Sequence, residues 1–370
     1  MRIGIDLLWV RVGMCGGTES YIRNLLDGFV KFAGDQEYVL FVAQDNAESF
    51  RHYGESACVT LHVCRIDCAV QVKRILWENR YLDKEAVKES VNVMFIPVYS
   101  KPSSHGSRIP YVSVIHDLQA LHYPQYFSWI KRIFLKASWR KTCRTSHRVI
   151  AISNFVKEDI IKHYPCVKGK ILTVYNPISS KNSELPASFV EEKYQIRKDA
   201  YFYCVSSLLP HKNLTTILRV MKELKNRGRL EEKLVLSGVG GDRQEILAMV
   251  QELGIQDMVI FTGFISDEER DCLYENCKLF LFPSVFEGFG MPPVEAMRKG
   301  KNVIMTERTC LKEVTEGRAV YVRDPFDVKE WCEKIEETEQ KPTVVQRFEQ
   351  YELENVVKQY VEALAECVRP

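Results

Sequence analysis

No long hydrophobic run occurs in this 370-residue sequence. The longest apolar stretches, such as Leu279-Phe280-Leu281-Phe282, are strand-sized, whereas a membrane span takes about 18 apolar residues or more. A transmembrane helix is therefore not expected. Charge of one sign is not in excess either: 51 basic and 49 acidic side chains leave +2, which argues against a global polyanion partner. No C-x-x-C pair is present, although there are twelve cysteines. They sit singly among apolar residues, as Cys204 does in Tyr-Phe-Tyr-Cys-Val, and are expected to be small core side chains rather than metal ligands or a disulfide framework. There is no low-complexity tract and no short repeat. The opening Met1-Arg2-Ile3-Gly4-Ile5-Asp6 reads as a strand, not as a secretory leader, so a cytoplasmic location is the expectation.

What is present is a soluble, globular composition long enough for two domains. Short β-rich runs alternate with longer amphipathic stretches, the pattern of parallel sheets flanked by helices. In the first half the strands are expected at 2–8, 38–43, 93–96, 111–115 and 148–152. In the second half they fall at 201–206, 233–238, 259–262, 279–282 and 302–305. Polar residues around 177–194 make the join. The fold class is thus α/β, with a doubly wound domain over 1–178, a second over 195–345, and a terminal helix over 346–370. Phe348, Tyr351, Val356, Tyr360 and Leu364 would form that helix's apolar stripe.

The segment Pro283-Ser284-Val285-Phe286-Glu287-Gly288-Phe289-Gly290-Met291-Pro292-Pro293-Val294-Glu295 follows an apolar strand. It should enter a helix near Pro292, because proline suits a first turn. Glu287 then lies in a loop at the strand's carboxyl end, where doubly wound sheets bind ligands, and Glu295 about one turn into the helix. Gly288 and Gly290 allow close backbone approach, and a helix start favours phosphate. The plainer reading is a tight turn followed by a solvated glutamate.

Glu287 through Glu295 resembles the E-x7-E signature of the retaining transferases of glycosyltransferase family 4, down to the E-G-F-G-x-P-x-x-E wording. The stretch from Phe261 through Tyr274 to Gly300 is similar to that family as well. The resemblance implies the GT-B fold, two Rossmann-like domains facing a central cleft. It implies Glu287 on donor-sugar hydroxyls, Glu295 on the nucleotide ribose, and Gly288, Phe289 and Gly290 beside the donor. A glycosidase-like pair of carboxylates is the generic alternative, which the phosphate-binding signals elsewhere oppose.

Those signals are loops at strand ends. In Ser206-Ser207-Leu208-Leu209-Pro210-His211-Lys212-Asn213, the resemblance assigns Lys212 to the donor diphosphate, whose departing charge a fixed cation stabilises. Many relatives carry an arginine where this chain has Ser207. His211, an arginine elsewhere or backbone N–H groups are the alternatives for that contact. Gly13-Met14-Cys15-Gly16-Gly17-Thr18-Glu19 is no G-x-G-x-x-G dinucleotide fingerprint, but resembles the family's G-G-x-E loop. Gly16 and Gly17 would then approach the donor phosphate, and Glu19 the acceptor. By the same resemblance Gly238, in Ser237-Gly238-Val239-Gly240-Gly241, lies near the base. His116 in Val114-Ile115-His116-Asp117 would contact the donor sugar, with Asp117 toward the acceptor or orienting the loop. No D-x-D pair occurs, so neither a metal nor a cofactor is expected, the nucleotide sugar being a substrate.

The basic, aromatic stretches 73–81 and 126–148 have two readings. One is an amphipathic surface on anionic lipid at the cytoplasmic face of the inner membrane; the other is an ordinary helix with its basic face in water. No nucleic-acid motif accompanies the charge. The resemblance implies transfer of a hexose or deoxyhexose from a nucleoside-diphosphate sugar to a glycan or lipid-linked acceptor. The wording of 74–78 leans toward mannosyl- or rhamnosyltransferases of polysaccharide assembly. A nucleotide-sugar epimerase on the same fold and a non-catalytic scaffold subunit remain the alternatives.

Overall fold

The computed structural model describes residues 1–103, 108–178, 183–229, 231–240 and 243–368. Residues 179–182 of the expected join and Gly241 of the second glycine-rich loop lie outside them. The chain forms two compact units, one of Met1–Ile178 with Glu349–Pro370, the other of Ser179–Phe348.

Among the described residues the first unit is built on a seven-stranded sheet. Its strands are β1 (Arg2–Asp6), β2 (Glu37–Ala43), β3 (Val59–Cys64), β4 (Val93–Ile96), β5 (Tyr111–Ile115), β6 (Arg148–Ala151) and β7 (Ile171–Thr173). They lie in the order β3-β2-β1-β4-β5-β6-β7, and each pairing is parallel. β4 and β5 are buried along their whole length, as a parallel sheet covered on both faces requires. The strand order reverses between β1 and β4, which makes their carboxyl ends the crevice where such sheets take ligands.

The second unit repeats this plan with β8 (Tyr201–Val205), β9 (Lys233–Ser237), β10 (Val259–Gly263), β11 (Leu279–Phe282), β12 (Val303–Thr306) and β13 (Val320–Val322). Their order is β10-β9-β8-β11-β12-β13, again parallel. The reversal falls between β8 and β11. Its core gathers Phe202, Leu218, Leu236, Leu281, Ile304 and Trp331.

Five strands per half was one expectation too few for the second unit and two too few for the first. The additional strands β3, β7 and β13 are all sheet edges. An edge strand pairs on one side only, so it can be short or half exposed. β7 and β13 have three residues each, and β3 mixes partly buried and exposed side chains, with Cys64 alone buried.

The terminal segment also differs from a single long helix. A 3-10 turn at Glu349–Tyr351 precedes the helix Leu353–Ala365, and Phe348 belongs to the other unit, where the Arg318 guanidinium lies 4.9 Å from its ring. The Leu353–Ala365 helix packs on the helix Gly17–Phe32. Gly28 allows this approach: a Cβ there would lie 2.5 Å from Val357 and 2.7 Å from Leu353. The Tyr21 and Tyr360 hydroxyls close the contact with a hydrogen bond of 2.8 Å. No helix among the described residues is long and apolar enough to cross a membrane. All twelve cysteines are free and eight are buried.

Candidate active site

In the second unit, the loops that leave β8 and β11 rise from neighbouring strands at the reversal of strand order. Their functional side chains meet. Lys212, in the 3-10 turn Pro210–Lys212, donates from Nζ to Glu287 Oε1 at 2.6 Å. Both side chains are mostly buried, with 21% and 14% of their surface exposed, so the pair is only partly screened by water.

Backbone and side-chain bonds fix the two loops to each other. Val285 N donates to the His211 carbonyl at 2.8 Å. Asn213 adopts the left-handed conformation at φ 53°, which asparagine tolerates better than most residues. Its Nδ2 donates to the carbonyls of Pro283 (3.3 Å) and Pro325 (2.9 Å), and its Oδ1 accepts from Thr216 Oγ1 at 2.7 Å. From the other side, Glu287 N donates to Thr309 Oγ1 at 3.2 Å. The Cys310 thiol lies 3.3 Å from the Glu287 carbonyl and 3.1 Å from that of Phe289. Lys212 and Glu287 are thus held from three segments distant in sequence.

Gly290 ends the loop at φ 89° and caps the helix Met291–Arg298. A side chain there would be strained, and its Cβ would sit 2.7 Å from Leu311. Gly288 and Phe289 are buried beside it. Glu295 lies on the same helix and accepts from the Tyr274 hydroxyl at 3.0 Å. Gly238 has φ 80°, and a Cβ would lie 2.9 Å from the Ser206 carbonyl. That contact brings the loop after β9 against the start of the loop after β8, beside Ser207.

Burial and the neighbouring Lys212 charge push the His211 imidazole down to about 4, against the pull of Glu287. Near neutral pH it carries no charge, so in the unliganded chain it does not replace the cation that Ser207 fails to supply. A second cation does lie close to Glu295. Burial works against the charge of Arg270, yet Glu295, Tyr274, Asp267 and Asp271 raise its pKa, and its Nε is buried with no hydrogen-bond partner. Sequence reasoning missed Arg270, because Asp-Glu-Glu-Arg-Asp reads as a solvated helix start. It also gave Asn213, Thr309 and Cys310 no role, since their contacts are with distant backbone.

In the first unit, His116 follows β5, and its Nε2 lies 2.8 Å from the Pro97 carbonyl. A carbonyl only accepts, so Nε2 carries the hydrogen. Burial pushes the imidazole down to about 4, the Pro97 bond opposing it, so the ring is neutral and Nδ1 is left as an acceptor. The Tyr21 ring stands edge-on to it at 5.0 Å, linking His116 to Tyr360. Asp117 Oδ1 accepts from Gln119 N at 2.8 Å, which shapes the loop.

Gly16 caps the helix Gly17–Phe32 at φ 54°, ψ −139°, a conformation open to glycine. The helix begins at Gly17, so Gly17 and Glu19, read from the sequence as part of a glycine loop, lie in its first turn. Glu19 accepts from Gly13 N at 2.9 Å and from Arg23 at 3.0 and 2.9 Å. Its carboxylate closes the glycine loop. Among the described residues no three His, Cys, Asp or Glu side chains gather as metal ligands.

Comparison with known proteins accounts for both units. Residues 15–181 match the model described as Glycosyltransferase Family 4, and residues 188–354 that described as Glycosyl transferases group 1. Over 237 residues the chain is 29% identical to the O-antigen chain mannosyltransferase RfbU of Salmonella typhimurium, covering 64% of this chain and 63% of that one. It is 28% identical over 223 residues to the O-antigen chain mannosyltransferase B of Escherichia coli, covering 59% and 58%. The matches thus span about three-fifths of these curated relatives. Among solved structures, Anabaena HepE in complex with UDP-glucose superposes with a TM-score of 0.75 at 18% identity, covering 99% of this chain and 100% of that one. Sucrose-phosphate synthase of Thermosynechococcus elongatus gives 0.72 at 18%, covering 100% and 96%. The fold is that of the GT-B glycosyltransferases, and the chain carries a Glycosyltransferase Family 4 domain on its first unit and a Glycosyl transferases group 1 domain on its second.

Proposed function

We propose that the chain transfers a hexose from a nucleoside-diphosphate sugar to a saccharide acceptor in the assembly of a surface polysaccharide, with retention of anomeric configuration. Mannose is the sugar favoured by the O-antigen mannosyltransferases it resembles. The observation that carries the reading is the Lys212–Glu287 pair at the β8/β11 reversal. A sugar diphosphate presents an anion next to a row of hydroxyls. The ammonium takes a phosphate oxygen and the carboxylate accepts from hydroxyls, so each partner exchanges the other for substrate.

As the glycosidic bond breaks, negative charge grows on the diphosphate, and a pre-placed cation stabilises that growth. Glu287 is charge-paired, which suits hydroxyl recognition better than covalent attack on the sugar. The acceptor hydroxyl would approach from the face the nucleotide leaves, its proton passing to the leaving phosphate oxygen. Neutral His116 would accept from a donor-sugar hydroxyl through Nδ1. Glu295, aligned by Tyr274, would take the ribose.

We extend the proposal to peripheral attachment at an anionic membrane surface. The helix Trp129–Thr145 has six cations and no acidic residue. It buries Leu135 and Trp139 but exposes Trp129, Ile130 and Ile133, so apolar side chains lie on its solvent side as well. Mass analysis of products tests the transfer directly. Wild-type chain with GDP- or UDP-sugars and a lipid-linked saccharide should lengthen the glycan, and Glu287→Ala should not. An isomerised donor with no acceptor consumed would point to an epimerase, and no product from any donor to a scaffold.

A further inference from the structure

The first unit holds a cavity of about 200 Å³ whose lining includes neither the glycine loop nor His116. It lies between the helix Gln71–Trp77, with its continuation Glu78–Leu82, the loop after β4, and the helix Trp129–Thr145. Glu78, Asn79, Ser100, Lys101, Ser138 and Lys141 supply its polar lining.

Two ammonium groups line it with no carboxylate in hydrogen-bond contact among the described residues. Lys101 is only 5% exposed. Its Nζ makes one long bond, 3.4 Å to the Pro102 carbonyl, and sits 4.4 Å from the centre of the Tyr111 ring. Lys141 donates to two neutral oxygens, Asn79 Oδ1 at 3.0 Å and Ser103 Oγ at 2.9 Å. Its third N–H has no acceptor among the described residues. For Lys101 a buried charge left in this condition is costly, and desolvation lowers the pKa of both it, to about 8, and the half-buried Lys141.

The lining carboxyl faces Arg74 and, among the described residues, bonds to neither lysine. Glu78 is 2% exposed, and its Oε1 has no hydrogen-bond partner, although Arg74 Nε lies 3.4 Å away. Burial, with Asp6 adding to it and Arg74 and Lys141 opposing, drives its pKa well above the usual carboxylate range. The cavity thus offers two cations and the hydroxyls of Ser100 and Ser138, a set that an oxyanion with several acceptor oxygens satisfies.

We propose that this cavity is a phosphate-binding site, in which Lys101 and Lys141 hold the phosphate or diphosphate group of a second ligand. The site is distinct from the Lys212–Glu287 pair, because its residues all belong to the first unit. The phosphate could be carried by a soluble molecule or by a lipid headgroup. The flanking helices expose Val72, Leu76, Ile130 and Ile133, an apolar rim that suits a phosphate borne on an apolar chain.

The test uses full-length chain carrying Lys212→Ala, so that pyrophosphate is not read at the donor site. Calorimetry should show pyrophosphate binding, weakened about tenfold or more by Lys101→Met or Lys141→Gln. The Gln variant keeps two N–H donors for Asn79 and Ser103 and removes only the charge, so it carries the test if Lys101→Met does not fold. Unchanged affinity in a folded Lys141→Gln protein overturns the proposal. A second arm uses phosphatidylcholine vesicles with and without phosphatidic acid. Binding that needs phosphatidic acid and falls more with Lys141→Gln than with the exposed Lys136→Gln identifies a lipid phosphate. Equal losses in the two variants, or no binding in either arm, overturn it.

Discussion

Lys212 Nζ lies 2.6 Å from Glu287 Oε1 although 75 residues separate them in sequence. Each comes from the loop at the carboxyl end of one of two adjacent parallel strands. Two residues assigned separately to a diphosphate and to sugar hydroxyls are therefore neighbours in space, as the two halves of one nucleotide sugar require.

The pair predicts different losses for its two members. Lys212→Ala should lower kcat/KM by about 100-fold or more through lost leaving-group stabilisation and abolish measurable affinity for the free nucleoside diphosphate. Glu287→Ala should lower kcat comparably while leaving nucleotide affinity within a few-fold. Because each partner also holds the other, the double variant should lose less than the product of the single losses. Steady-state kinetics on the four proteins measures this.

Tyr274 should act through Glu295. Tyr274→Phe removes the 3.0 Å bond to Glu295 Oε2, and a hydrogen bond to a charged group contributes about 1.5–3 kcal/mol. We expect donor KM to rise about tenfold with kcat nearly unchanged. A fall in kcat alone would mean that Glu295 acts on the reacting sugar.

Much of this arrangement was legible in the sequence, and the reasons differ by residue. Glu287 and Lys212 stand in loop motifs and Glu295 about one turn into a helix, with local glycine and proline signals that marked the segments; their roles came from the resemblance to family 4. Arg270 lacked such a signal: its relation to Glu295 exists only because the helix Asp267–Asn276 packs beside the helix Met291–Arg298. Asn213 fell within a quoted motif, but its bonds to Pro283 and Pro325 are tertiary. β7 and β13 are edge strands of three residues, too short for an alternation to register. The terminal stripe mixed Phe348 with Tyr351 and Tyr360, because apolar periodicity does not reveal that the chain passes from one unit to the other between 348 and 349.

Neither His116 nor His211 should titrate near neutrality, both being pushed down to about 4 by burial. For such a group the unfolded chain binds more protons between pH 4 and the ordinary value near 6.5. Its contribution to stability is therefore complete above about 6.5 and is lost as pH falls toward 4. Asp6 and Asp271, raised to about 6 by burial, act in the opposite sense, so the difference between variants is the quantity to read. His116→Gln should lose less stability than wild type between pH 6.5 and 4 in chemical denaturation, and the His116 C2 proton should not shift above about pH 5 by NMR.

The docking of the terminal helix has its own signature. Gly28→Ala places a methyl where Val357 and Leu353 already stand, and overpacking of this kind costs about 1–3 kcal/mol, more than the helix propensity that alanine contributes. Tyr360→Phe, which breaks the hydroxyl pair with Tyr21, should cost about 1 kcal/mol. Urea denaturation midpoints at constant slope would register both.

The most direct measurement is a thermal-shift titration of wild type, Lys212→Ala and Glu287→Ala with UDP, GDP, dTDP and CMP, without added metal. A ligand at about 100 times its dissociation constant adds about 2.7 kcal/mol of stability, a shift of several degrees at most. We expect one nucleoside diphosphate to stabilise the wild type, the shift to vanish in Lys212→Ala, and most of it to persist in Glu287→Ala. An equal shift in wild type and folded Lys212→Ala would contradict the assignment of the Lys212–Glu287 pair as the donor site.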